Sequence, residues 1–112
     1  MKLHRIYLFL LAISLSVFPA HGDVISIRAD YWYPMNGDPQ SDRPGYMVEL
    51  AQAIFEPHGI KVDYQLMPWS RAIQETRIGK VDCVIGAYRV SVPDFLFADE
   101  HWGNDETFFY KL

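Results

Sequence analysis

Residues 60–87, IKVDYQLMPWSRAIQETRIGKVDCVIGA, decide the fold. Ile60, Val62, Tyr64 and Leu66 alternate with Lys61, Asp63 and Gln65. A period of two sends one set to a core and the other to water, the pattern of a half-buried strand. Pro68 then opens a helix, where a missing N–H costs nothing. The helix is expected over roughly Trp69 to Ile78, with Trp69, Ala72, Ile73 and Thr76 on its inner face. Gly79-Lys80 ends it, and Arg77 and Lys80 suit the negative end of its dipole. Val81 to Ala87 is apolar apart from Asp82, which predicts a strand buried on both faces, as in parallel sheets.

Working outward, Val24-Ile25-Ser26-Ile27 is β-branched and short and reads as a strand. Asp30 to Pro44 holds three prolines, Gly37 and several Asp or Asn residues, and reads as a loop. After Gly45 the spacing of Met47, Leu50, Ala51 and Ile54 is that of one helix face, stopped by Pro57, His58 and Gly59. Beyond Ala87 the pattern is irregular, with a short strand expected near Thr107 to Tyr110. The order β-α-β-α-β predicts an α/β fold with right-handed crossovers and a parallel sheet.

The flanks set the cellular context. Lys2 and Arg5 precede thirteen uncharged residues, Ile6 to Phe18, and Ala20-His21-Gly22 is a small-x-small cleavage pattern. Residues 1–22 therefore read as a secretory signal peptide, since a membrane span needs about 20 apolar residues. Without it, eight basic and fourteen acidic residues leave a formal charge of −6. That balance speaks against nucleic acid as a partner, because phosphate binding needs Lys and Arg. Half of the 112 residues are apolar, which excludes a disordered chain. Cys83 is the sole cysteine and reads as a small buried hydrophobe, so no internal disulfide staples the fold.

Parallel sheets bind ligands beyond the carboxyl ends of their strands. Here those ends carry Asp30, Tyr31, Trp32, Tyr33, Trp69, Arg71, Tyr88 and Arg89. Aromatic faces give flat contact area, an arginine offers a fork to a carboxylate, and Gly86-Ala87 permits close backbone approach. Each residue also has a plainer reading. Asp30 caps a turn or pairs with Arg28; Arg89 pairs with Asp99 or Glu100; Arg71 is a solvated charge; Tyr88 packs. His58 and His101 lack partners at metal spacing, Ser70 and Ser91 lack a positioned base, and no glycine loop cradles a phosphate. The sequence thus calls for no metal, no cofactor and no catalytic residue.

The strings DYWYPM (30–35), GYMVELAQAIFEPHGIKVDYQLMPWSRAIQETRIGKVDCVIGAYRV (45–90) and FADEHW (97–102) resemble solute-binding protein family 3, the periplasmic binding proteins of amino-acid-type ABC importers. The order and spacing of the pieces carry the resemblance, which runs from Ile25 to about Tyr110. It implies the first lobe of a type II periplasmic binding protein fold. It also implies a periplasmic location and a small polar ligand, such as an amino acid or related carboxylate, bound either for ABC-type uptake, with an ABC permease as partner, or for sensing. Carried over by position, the ligand-binding residues are Asp30, Tyr33, Trp69, Gly86, Ala87 and Arg89. The family's amino-acid binders usually pair an arginine with the ligand carboxylate five residues beyond Arg89. Asp94 stands there, so Arg89 or Arg71 is the expected substitute.

The family chain has two lobes and roughly twice this length, so residues 23–112 are expected to supply part of the first lobe only, with the second absent. Two other readings compete with solute binding. One is a cyclic-acid dehydratase of the same superfamily, with Asp30 or Glu100 as the general acid or base. The other is a truncated product without receptor function.

Overall fold

The computed structural model describes residues 22–101 and 103. The signal-peptide segment, apart from Gly22, and the strand expected near Thr107 to Tyr110 lie outside them. Within them three strands, β1 (Val24–Ala29), β2 (Lys61–Leu66) and β3 (Cys83–Val84), form one parallel sheet in the order β2-β1-β3. Helix α1 (Tyr46–Phe55) joins β1 to β2 through a short 3₁₀ turn, Glu56–His58, and helix α2 (Trp69–Arg77) joins β2 to β3. β1 is thus central, flanked by the two strands that follow it. Since the two crossovers run to opposite sides of β1, right-handed connections put α1 and α2 on opposite faces of the sheet.

One face of the sheet is the core. Ile27 and Ala29 of β1, Val62 and Tyr64 of β2 and Ile85 meet Val48 and Ala51 of α1, all buried. Ile25, Met47, Phe55 and Cys83 pack around them. A fully buried Ile or Val contributes about 2 kcal/mol by leaving water, so this small set supplies much of the stabilisation. The other face of β1 is polar. There the Arg28 guanidinium donates to the Ile27 and Asp63 carbonyls at 2.9 and 2.7 Å and to the Asp63 carboxylate at 2.9 Å. This ion pair holds the Asp63 carboxyl below its ordinary range. Arg28 therefore pairs with Asp63 of β2, not with Asp30.

Two expectations need correction. The inward face of α1 is rotated: Val48 is buried and Phe55 packs on the core, while Leu50 and Ile54 are exposed. Four of the six positions of YMVELAQAIF that are not inward, Tyr46, Leu50, Ala53 and Ile54, are apolar too, so two overlapping faces satisfy the helical period. The strand expected over Val81–Ala87 shrinks to Cys83–Val84. At its start the Asp82 side chain, rather than backbone, bonds to β1. At its end Ile85 N still donates to Arg28 O at 3.2 Å, and then Gly86 turns the chain at φ 90. The end of α2 is as expected. Gly79 N donates to Thr76 O and Lys80 N to Glu75 O, the two bonds of a Schellman stop.

Candidate functional site

Because all three strands run the same way, their carboxyl ends share one edge. After Ala29 the chain folds back on itself: Trp32 N donates to Asn36 O at 2.8 Å and Asn36 N to Trp32 O at 3.0 Å. The Tyr33–Pro34 bond inside this hairpin is cis. The hairpin is seated on the start of α1, where Tyr46 N and Met47 N donate to the Pro34 and Met35 carbonyls at 3.0 and 2.9 Å. These are donors that a helix cannot satisfy internally, so loop and helix complete one another. Contact is so close that only Gly45 fits at the junction; a Cβ there would lie 2.6 Å from Asn36 Cα and 2.7 Å from Met35 O.

The hairpin fans out three aromatic rings. Tyr31 and Tyr33 both reach the vicinity of Gly37, and both are about three-fifths exposed. Trp32 lies against Gly86, just beyond β3, its indole 3.4 Å from where a Cβ on Gly86 would be. The glycine read as leaving its backbone open to close approach therefore faces a tryptophan of the same chain. Asp30, beside these rings, is exposed. From β2, Pro68 delivers Trp69 as the first residue of α2, half-buried, and Arg71 one turn on, exposed.

A broad open cavity of about 1070 Å³ lies beside this edge. Ile25, Ile27, Cys83 and Ile85 of the sheet and Met47 and Phe55 of α1 line its apolar part. Trp32, Gly86, Ala87, Tyr88 and Arg89 line its part nearest the strand ends, and residues 94–101 complete it. Of the expected ligand residues, Gly86, Ala87 and Arg89 line this cavity; Asp30, Tyr33, Trp69 and Arg71 stand outside it along the same edge.

The arginines divide sharply. Arg71 Nε donates to Glu75 at 2.8 Å, and Glu75 is held low by it. Arg77 grips Asp94 with two bonds, at 2.7 and 3.1 Å, and holds that carboxyl below its ordinary range. Arg43 pairs with Glu49 at 2.6 Å and Arg28 with Asp63 at 2.9 Å. Arg89 alone, among the described arginines, has no carboxylate partner. Its guanidinium lies 4.8 Å above the Phe97 ring, so the expected surface bridge to Asp99 or Glu100 is not made. Stacking occupies the flat face of a guanidinium and leaves its N–H fork free. Sequence reasoning missed Phe97 because residues 88–101 carry no periodic pattern to read.

A family model for bacterial extracellular solute-binding proteins, family 3, matches residues 24–92. The chain belongs to this family. The small parallel sheet with its two helices is accordingly part of a binding-protein lobe. Curated proteins and solved structures return no match. Among the described residues no group of three His, Cys, Asp or Glu side chains is placed to hold a metal ion, and no helix is long and apolar enough to cross a membrane. The two carboxylates of the dehydratase reading, Asp30 and Glu100, are both exposed.

Proposed function

We propose that this family member binds a small polar solute bearing a carboxylate, such as an amino acid, and that Arg89 supplies the carboxylate fork. One observation carries the reading: Arg89 is stacked on Phe97, unpaired, at the carboxyl end of β3, where Gly86 and Ala87 line the same cavity. A planar fork held in place before the ligand arrives loses less freedom on binding than a free side chain does. Trp69 and Tyr33 offer aromatic faces to the ligand body, and Asp30 a counter-charge to an ammonium group. Arg71, tied to Glu75, contributes little. In this reading residues 1–22 direct export, residues 23–112 supply part of the solute-binding domain in the periplasm, and an ABC permease receives the solute. The protein acts as a receptor rather than an enzyme.

The experiment is thermal unfolding of the purified chain with a panel of amino acids and small carboxylates. A ligand at ten times its Kd stabilises the folded state by about 1.4 kcal/mol. For a domain of this size that raises Tm by roughly 6–11 °C. One ligand class should give the shift, Arg89→Ala should remove it, and Arg71→Ala should keep it. A panel without any shift, or a shift that survives Arg89→Ala, overturns the reading.

A further inference from the structure

Asn36 is the one fully buried polar side chain among the described residues, 1% exposed. Its side-chain amide donates to the Asp30 carbonyl and, at 3.1 Å, to the Tyr64 hydroxyl. Tyr64, 7% exposed on β2, passes the chain on by donating to the Gly37 carbonyl at 2.8 Å. Three hydrogen bonds thus tie both ends of the segment 30–37 to each other and to the neighbouring strand. For packing alone, a phenylalanine at 64 and an aliphatic residue at 36 would serve. A satisfied polar network in a core selects one arrangement among many of similar packing. The arrangement selected here is that of the hairpin carrying Asp30 and Tyr33.

We infer that Asn36 and Tyr64 are positioning residues of the binding site: without touching solute, they fix the hairpin that presents Asp30 and Tyr33 to it. The inference rests on the function proposed above, but its first test needs no ligand. Burial raises the Tyr64 phenol above its ordinary value, so the hydroxyl stays protonated and able to donate.

The test is amide hydrogen exchange on the full chain and on Tyr64→Phe, which removes the hydroxyl and little else. The amides of Trp32 and Asn36, bonded across the hairpin, should exchange at least tenfold faster. Those of Met67 and Ile85, bonded to β1, should keep their rates. A merely structural role would speed all four together, and that result, or unchanged rates at Trp32 and Asn36, overturns the inference. Should Tyr64→Phe fail to fold, Asn36→Leu, which keeps the shape and removes both donors, must give the same local pattern. Titration with L-glutamate separates the two claims. If wild type binds it, Tyr64→Phe should weaken binding at least fivefold, and equal affinity refutes positioning. If exchange changes locally but no panel member binds wild type, the hairpin is pinned as described, the proposed receptor reading fails, and positioning of a binding site fails with it.

Discussion

Asp82 and Ser26 hold each other reciprocally. Ser26 gives both its N–H and its hydroxyl to the same Asp82 oxygen, at 2.8 and 2.7 Å, and its hydroxyl accepts the Asp82 N–H at 3.0 Å. A carboxylate thereby substitutes for one rung of the ladder between β1 and β3, a pairing only two residues long. Such a clasp matters more here than in a long strand. Ser26→Ala and Asp82→Asn should each cost about 1 kcal/mol of stability. The double variant should cost less than the sum, because both changes act on the hydroxyl–carboxylate bond: Ser26→Ala removes its donor and Asp82→Asn takes the charge from its acceptor. Urea unfolding of the four proteins measures the coupling.

Four lowered carboxylates, Asp63, Glu75, Asp82 and Asp94, act on the acid side of the stability profile, and two of them tie the sheet together. Bonds from the Ser26 backbone and hydroxyl lower Asp82, and the bond from Arg28 lowers Asp63, each below 3.8. Between the folded and unfolded values the unfolded chain binds more protons, so stability rises with pH there. The contribution is complete above about pH 5 and is lost as pH falls through the depressed folded values. The urea midpoint should be level near neutrality and drop below pH 4. Asp63→Asn should lower it at pH 7 and flatten the acid limb; an acid limb unchanged in both Asp63→Asn and Asp82→Asn would refute the assignment.

How much of this was readable from residues alone depends on the kind of signal. The alternation in β2 located the strand and its buried Val62 and Tyr64, because a half-buried strand writes its geometry into every second residue; Leu66, in phase with them at the strand's end, is exposed. The helices and the parallel order were legible too, but not which face of α1 turns inward, since Leu50 and Ile54 are apolar on its exposed side. A continuous apolar run carries no such phase, so nothing in Val81–Ala87 says where backbone pairing yields to the Asp82 side chain. The edge of the sheet was legible as a place, but the contacts on it were not. Arg89 over Phe97, Trp32 over Gly86 and Asn36 on Tyr64 join residues with no periodic relation in the chain, and only folding brings them together.

Gly45 offers a sharp contrast within the chain. Its φ is 118, and an added Cβ would sit 2.6–2.9 Å from backbone atoms of Met35 and Asn36, which cannot swing aside. Gly59 has φ 77 and nothing within 4 Å of that position. Gly59→Ala should cost only about 1 kcal/mol, the conformational penalty alone. Gly45→Ala should cost roughly 2–4 kcal/mol, since the hairpin must leave α1 to make room. Thermal unfolding of the two variants tests the ranking.

Cys83 should be sluggish as a nucleophile. Burial, with a smaller contribution from the Asp82 charge, raises its thiol from 9.0 to about 11. At pH 8 that lowers the reactive thiolate fraction about a hundredfold, because each unit is a factor of ten. Iodoacetamide should therefore label the native chain at least a hundredfold more slowly than the chain in urea. Comparable rates would mean that the β3 side of the sheet opens readily.

The central place of β1 has a consequence for how the chain assembles. Its partners arrive late: Val24 pairs with Lys61 and Ile27 with Cys83. As synthesis proceeds from the amino end, β1 has no strand to bond until more than thirty further residues have followed, and its second neighbour comes later still. Neither pairing forms by a local hairpin, so closing each loop must precede the contacts that reward it. The sheet is thus a late event in the life of the nascent chain, which stays without its central ladder until β2 has emerged.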